Sequence, residues 1–114
     1  GDNFRFSKKL IENKKLNIKS CIIVCTPYDE KRAYSAFRRI MPEYEGIVHS
    51  EDISCEEYYN KNGTEWIDVL VGDIQRMKVF YEKGWQIKMD IPQNVWEVYE
   101  TLVNKGYNKF ILKD

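Results

Sequence analysis

Apolar residues recur at helical spacing along much of the chain. The longest such stretch has one apolar face, formed by Trp66, Ile67, Leu70, Ile74, Met77 and Tyr81. A shorter helix is expected after Ser54, because Ser54 and Glu57 have the spacing of a capping box. The four longer helices are predicted over about 4–16, 29–41, 64–83 and, after a turn at Ile91-Pro92, up to about 105.

Short apolar runs between these helices predict strands. Residues 21–25 are apolar without interruption, which is typical of a strand buried on both faces of a parallel sheet. A weaker run over 46–50 follows the second predicted helix, and a strand, helix, strand order with this crossover length indicates parallel neighbours. Alternation over 107–113 predicts an edge strand. The elements together predict an α/β fold built on a parallel sheet.

A parallel sheet this small needs further strands beside it and other elements packed over its faces. The chain opens at a helix, with no strand before it. We therefore expect residues 1–114 to form a single α/β domain that is the C-terminal portion of a larger one, or one whose remaining strands come from another chain. The open sheet edge would then support self-association or pairing with the missing N-terminal part.

The junction between the first strand and the second helix carries the most polar chemistry. In open α/β sheets, side chains just past the carboxyl end of a strand face the crevice where ligands bind. We predict a small-molecule site here, in which Arg32 reaches back to an anion, Tyr28 stacks on a flat ring or bonds a ribose, and Pro27 fixes the loop. The alternatives are structural: Arg32 pairs with Asp29 or Glu30, and Tyr28 is a half-buried loop aromatic.

Composition narrows the possible functions. A chain of 114 residues with 43% hydrophobic residues forms one domain at most. Lys+Arg and Asp+Glu both number 18, so no basic field favours nucleic acid as a partner. No apolar run is long enough for a membrane span and the first residues do not resemble a signal peptide, so we expect no membrane insertion and a cytoplasmic location.

The cysteines and the single histidine predict neither a disulfide nor a metal site. Cys21 and Cys25 would lie about 13 Å apart on one strand, at roughly 3.3 Å per residue, and cannot pair. His49 and Cys55 lack the spacing of metal ligands. His49 and Ser50 point to opposite faces if both lie in a strand, which argues against a Ser-His hydrolase.

Several short motifs resemble one family of bacterial α/β proteins. They are Pro27-Tyr28-x-x-x-Arg32-Ala33 after an apolar strand, Val71-Gly72-Asp73-Ile74-Gln75-Arg76, Gly84-Trp85-Gln86-Ile87 and Ile91-Pro92-x-x-Val95-Trp96. Together they resemble the YdcF/SanA/ElyC-like family, and most closely its YdcF-like branch. The resemblance covers essentially the whole chain but only the later part of the family's domain, since the family's first strands and glycine-containing loop are absent. Gly1-Asp2-Asn3 resembles the end of the family's Asn-Thr-x-Glu/Asp-Asn motif.

The resemblance implies a Rossmann-like, three-layer α/β/α fold with a parallel sheet. A member of the branch is described as binding S-adenosylmethionine, other members are linked to cell-envelope processes, and no reaction is established for the family. S-adenosylmethionine or a nucleotide-like molecule is therefore the expected ligand, and no metal is expected. Many family members carry His where this chain has Asp29, so chemistry that needs an imidazole there is not expected.

Two further groups are candidate ligand-binding residues with structural alternatives. Asp2 and Asn3 would lie at a helix N-terminus, where they either cap the helix or help to hold an anion. Asp73 and Arg76 are spaced to pair on one helix face, whereas Gly72 costs a helix roughly 1 kcal/mol relative to Ala and needs a reason. Close packing against a helix or a ligand would supply that reason.

Three functions are consistent with these patterns. The first is a small-molecule-binding Rossmann-like domain, for S-adenosylmethionine or a related ligand. The second is a non-catalytic envelope-biogenesis or assembly domain that joins another polypeptide through the sheet edge. The third is metal-assisted hydrolysis of a phosphoester, with Asp29 and Asp73 as metal ligands and Arg32 as phosphate clamp.

Overall fold

Two parallel strands form the sheet of the structure, a computed structural model that describes residues 1–113. Strand β1 (Ser20–Val24) pairs with β2 (Glu45–His49), with Ile22 opposite Ile47. Helix α2 (Glu30–Ile40) connects them after a 3-10 turn at Pro27–Asp29. The parallel pairing and the mixed α/β class are confirmed.

Four other helices complete the described chain. Ser54 accepts a hydrogen bond from the Glu57 backbone N at 3.1 Å, which confirms the Ser54 half of the predicted capping box. Gly84, at φ 74°, ends its helix as predicted, because Trp85 N bonds to Phe80 O at 2.8 Å in a Schellman arrangement. The four helices are α1 (Asp2–Asn13), α3 (Cys55–Asn62), α4 (Glu65–Glu82) and α5 (Gln93–Asn104).

The core lies where α2 packs on β2. Phe37 is fully buried there, with Met41 and Val71 nearly so. The Phe37 ring rests directly on Gly46, where a Cβ would lie only 2.6 Å from the ring Cζ. The strand can pass this close to the ring because Gly46 has no side chain.

The opposite face of the sheet is open. Ile22, Val24 and Ile47 are 68%, 75% and 64% exposed, while Ile23 and Val48 on the other face are half-buried. The prediction that residues 21–25 are buried on both faces is therefore wrong for residues 1–113. The physical reason is that α2 covers one face and no described element covers the other.

Helix α1 differs from the prediction in its cap, its end and its buried face. Gly1 is the N-cap residue, and Asp2 lies inside the first turn, where it pairs with Arg5 at 2.9 Å. Phe4 packs on Phe37 with ring centroids 5.8 Å apart, whereas Phe6 is exposed. The helix ends at Asn13, not near residue 16.

Residues 107–113 form no strand, contrary to the prediction. Side chains of α4 take their backbone bonds instead: Gln75 accepts from Leu112 N at 2.7 Å and donates to Leu112 O at 3.1 Å. Asp68 accepts from Lys109 N at 3.1 Å. The segment contains a turn, in which Ile111 N bonds to Asn108 O at 3.3 Å, and it pairs with no neighbouring strand.

A membrane-spanning helix is not found among residues 1–113, because none of the helices there is both long and apolar enough to cross a bilayer.

Candidate functional site

A cavity of about 430 Å³ lies at the carboxyl ends of both strands. This is the edge at which the sequence predicts a ligand crevice. Its lining combines the 3-10 turn, the first turn of α2 and the residues that follow β2, namely Pro27, Glu30, Val48, His49, Ser50, Glu51, Asp52 and Ile53.

The walls of this cavity are acidic. Glu30, Glu51 and Asp52 contribute carboxylates, and His49 is the only side chain in the lining that can carry a positive charge. The Ser50 hydroxyl, just after β2, donates a hydrogen bond to the Glu30 carboxylate at the start of α2. Lys61 approaches Glu51 from outside at 3.2 Å, in an exposed pair of little energetic weight. The cavity therefore favours hydroxyl donors and positive charge over anions.

Arg32 lies in the first turn of α2 and faces two carboxylates. Its Nε is 2.8 Å from Oδ1 of Asp29 and 3.2 Å from Oδ1 of Asp73. The distance to Asp29 is short, yet neither Arg32 Nε nor Asp29 Oδ1 has a hydrogen-bond partner, so this contact is an ion pair with poor hydrogen-bond geometry. Pairing with Asp29, the structural alternative for Arg32, is thus present, and Asp73 joins it as a second carboxylate partner of Arg32 and not as a metal ligand.

Asp73 is the most buried acid of this group, with a side chain that is only 10% exposed. Burial raises the pKa of Asp73 above its ordinary value, the nearby Arg32 charge opposes that rise, and the Asp29 carboxylate adds to it. The Arg32 guanidinium therefore stabilises a buried negative charge that would otherwise favour protonation.

Tyr28 is held in an aromatic cluster. Its ring lies edge-on to Tyr58 at 5.9 Å and nearly parallel to Trp66 at 6.5 Å between centroids. Burial, with Tyr28 nearby, raises the pKa of Tyr58. Trp66 Nε1 is buried without a hydrogen-bond partner. The cluster anchors the 3-10 turn to α3 and α4, which is the half-buried role given above as the alternative for Tyr28.

Gly72 lets the C-terminal segment approach α4. A Cβ at this position would lie 2.8 Å from the backbone O of Phe110 and 2.6 Å from Nη1 of Arg76. Arg76 donates to Phe110 O at 2.9 Å and does not form the predicted ion pair with Asp73, because Asp73 faces Arg32. The reason for the helix glycine is thus close packing, against the turn at 109–110 and not against another helix.

We expect Gly72→Ala to lower the free energy of unfolding by about 1 kcal/mol, although Ala favours helix by a similar amount. The added methyl would overlap a backbone carbonyl, which cannot move aside as a side chain can. Urea denaturation measures the change. Val98→Ala, at an exposed position of α5, is the control and is expected to stay within about 0.5 kcal/mol of wild type. A stabilised Gly72→Ala protein would contradict the packing explanation.

Asp2 and Asn3 lie away from Arg32. An ideal Cβ on neighbouring Gly1 would be 3.9 Å from the Ile40 side chain, at the C-terminal end of α2. Arg32 is at the other end of this helix, which has 11 residues and spans about 16 Å. The structure therefore brings Pro27, Tyr28, Arg32 and Asp73 to one region and leaves Asp2 and Asn3 elsewhere.

The acids of the cavity were not among the predicted ligand-binding residues. The sequence patterns predict Glu30 only as a partner of Arg32, and they do not indicate Glu51 or Asp52 as binding residues. A signal was present in the sequence, since Ser50, Glu51 and Asp52 form a polar run directly after the second strand.

A buried polar contact joins α2 to the segment that follows α4. Ser35, fully buried in α2, donates to Gln86 Oε1 at 3.1 Å, and Ile87 N returns a bond to Ser35 O at 3.2 Å. Arg39 donates to Gly84 O at 2.7 Å. The motif over 84–87 thus joins the end of α4 to α2, which is a structural role.

No group of three or more side chains suited to hold a metal ion occurs within residues 1–113. Asp29 and Asp73 do approach each other, but the Arg32 guanidinium faces both.

Comparison with known proteins finds an uncharacterized protein of Streptomyces coelicolor that is 32% identical over 116 residues. The match includes all of this chain and 52% of the relative, so the chain spans about half the length of that protein. No family model matches the chain. No solved structure matches it either.

Proposed function

We propose that this chain forms one side of a Rossmann-like, three-layer α/β/α site that binds a nucleoside-like ligand without phosphate groups, such as S-adenosylmethionine. The observation that carries the proposal is the acidic cavity at the carboxyl ends of β1 and β2. Its volume of about 430 Å³ is within the range of small-molecule sites. The resemblance to the YdcF-like branch supports the same ligand class.

The negative charge of the cavity walls favours a ligand without phosphate groups over a phosphorylated one. Carboxylates accept hydrogen bonds from ribose hydroxyls, and they attract a positive centre such as a sulfonium. A phosphate group in the cavity would be repelled by Glu30 and Asp52, because all three groups are negatively charged. Arg32, the expected clamp for an anion, is already close to two carboxylates.

The residues have distinct roles in this proposal. Glu30 accepts from a ligand hydroxyl, and Ser50 orients the Glu30 carboxylate by donating to it. Pro27 shapes the turn, and Arg32 positions Asp29 beside the cavity. Catalysis forms no part of the proposal. A cytoplasmic location is included, and it is supported by the three free cysteines among residues 1–113.

Metal-assisted phosphoester hydrolysis has less support. Asp29 and Asp73 would have to release Arg32 before both could hold a metal ion, and burial already disfavours the charged form of Asp73. The non-catalytic assembly role is supported by a different observation, the exposed apolar face of the sheet.

We expect S-adenosylmethionine to raise the thermal midpoint of the protein. At a ligand concentration about 100 times the dissociation constant, the stabilisation is about 2.7 kcal/mol. Glu30→Gln keeps the size of the side chain but removes its charge, and it should weaken binding about tenfold. Thermal-shift titration with S-adenosylmethionine, its demethylated product, adenosine and ATP provides the measurement.

The matched control is Glu97→Gln, an exposed change on α5 that should leave affinity unchanged. Stabilisation by ATP but not by adenosine or S-adenosylmethionine would refute the proposed ligand class. Unchanged affinity in Glu30→Gln would refute the assignment of the cavity.

A further inference from the structure

The open face of the sheet is a continuous apolar patch formed by Ile22, Val24 and Ile47. The strand register sets Ile22 directly beside Ile47, and Val24 follows two residues along the same face of β1. All three side chains are mostly exposed. A single exposed aliphatic residue is ordinary, but neighbouring ones on a regular surface mark an interaction site.

A parallel sheet with one bare face is unusual. Parallel sheets occur almost only with both faces covered by helices, because their strands are apolar on both sides. In this chain α2 covers the face with Ile23 and Val48, whereas the bare face carries Ile22, Val24 and Ile47 together with Ser20, Glu45 and His49 at the strand ends. The central residue pair of the sheet is therefore apolar on both faces, as in a sheet that is covered twice.

We propose that an amphipathic α-helix from polypeptide outside residues 1–114 covers the Ile22, Val24 and Ile47 patch. A helix is about 10 Å across with its side chains, so one helix covers two strands that are about 4.8 Å apart. Strands of five residues are about 16 Å long, which corresponds to a helix of about 11 residues, or three turns. Helix α2 has 11 residues and covers the other face in this manner.

The length of the Streptomyces relative supports a source for this helix outside the matched region. The chain matches only 52% of that protein, so nearly half of the relative lies outside the match. A second copy of this chain fits less well, because three side chains fall far short of the roughly 800 Å² that each partner buries in a standard interface. This inference is independent of the proposed ligand.

Thiol labelling tests the proposal at the patch itself. Val24→Cys places a thiol on the open face, and Val98→Cys places a control thiol on an exposed position of α5. Both variants also carry Cys55→Ser, which removes an exposed native thiol. The same pair is placed at the aligned positions of the full-length Streptomyces relative. Peptide mass spectrometry then separates these thiols from Cys21 and Cys25.

In the 114-residue chain, we expect the two introduced thiols to react at similar rates. In the relative, the ratio of the Val24 rate to the Val98 rate should fall at least 100-fold, because a helix covers the first position. An unchanged ratio would overturn the proposal. Protection of Val24→Cys in the 114-residue chain that grows with protein concentration would also overturn it, in favour of a second copy.

Discussion

Gly46→Ala should lower the free energy of unfolding by about 3 kcal/mol, the largest effect expected of a single methyl group in this protein. The new Cβ would overlap the Phe37 ring, which is fully buried under α2. Relief would require moving either the ring or the helix away from β2. Equilibrium urea denaturation of the 114-residue chain measures the loss.

A second substitution tests whether the Phe37 ring is the cause. Phe37→Leu removes the part of the ring that the new methyl would meet, so the double variant should lose less stability than the sum of the two single variants. Ile47→Val, at the next position of β2 but on the open face, is the control and should change stability by less than about 0.5 kcal/mol. Strict additivity of Gly46→Ala and Phe37→Leu would contradict this explanation.

Arg32→Ala should cost about 2 kcal/mol at pH 7. The variant leaves Asp73 buried without its cation, and removing one partner of a buried pair is more costly than the pair is worth. The expected loss is below that of a fully buried pair because about a third of the Arg32 side chain reaches solvent. Arg5→Ala, which breaks the exposed pair with Asp2, should cost little.

The pH dependence of this loss identifies Asp73 as its cause. The pKa of Asp73 is higher in the folded protein than its ordinary value of about 3.9, so between the two values the folded state holds the proton and the unfolded state does not. The contribution of Asp73 to the free energy of unfolding therefore falls as pH rises from the unfolded pKa to the folded pKa of this residue. Without Arg32 the folded pKa of Asp73 rises further, so the penalty of Arg32→Ala should be small at pH 4 and complete by pH 7.

Urea denaturation of Arg32→Ala at both pH values measures this difference. Adding Asp73→Asn removes the titrating carboxyl, and the remaining penalty of Arg32→Ala should then be the same at pH 4 and pH 7. A penalty of equal size at both pH values in the presence of Asp73 would show that the buried carboxylate is not its cause.

Local signals predicted the elements well where a short stretch of chain determines them. Ser54 begins α3 and Gly84 ends α4 because capping depends on a few neighbouring backbone groups. Prediction from short stretches fails where an element depends on residues that are distant in the sequence. Residues 107–113 alternate like a strand, but Gln75 bonds both backbone groups of Leu112, and that partner is 37 residues away.

The candidate site was predictable in its location but not in its charge. The strand-end rule indicates the right edge of the sheet from the order of strand, loop and helix alone. It could not show that Asp73 would reach Arg32 from α4, since that ion pair joins residues 41 positions apart and depends on how α4 packs against the turn. Arg32 consequently changed from an expected anion clamp to the partner of two carboxylates.

By itself, the sequence determined the helices, the parallel strand pair and the strand-end junction, because periodicity, capping and connection length act over short distances. Only the tertiary structure decided three features: the acidic cavity, the balance of charge around Arg32 and the bare face of the sheet. Each depends on which distant side chains come together, or on the absence of a covering element among residues 1–113. The run Cys21-Ile-Ile-Val-Cys25 has the pattern of a doubly covered strand, and the fold supplies only one of its two covers.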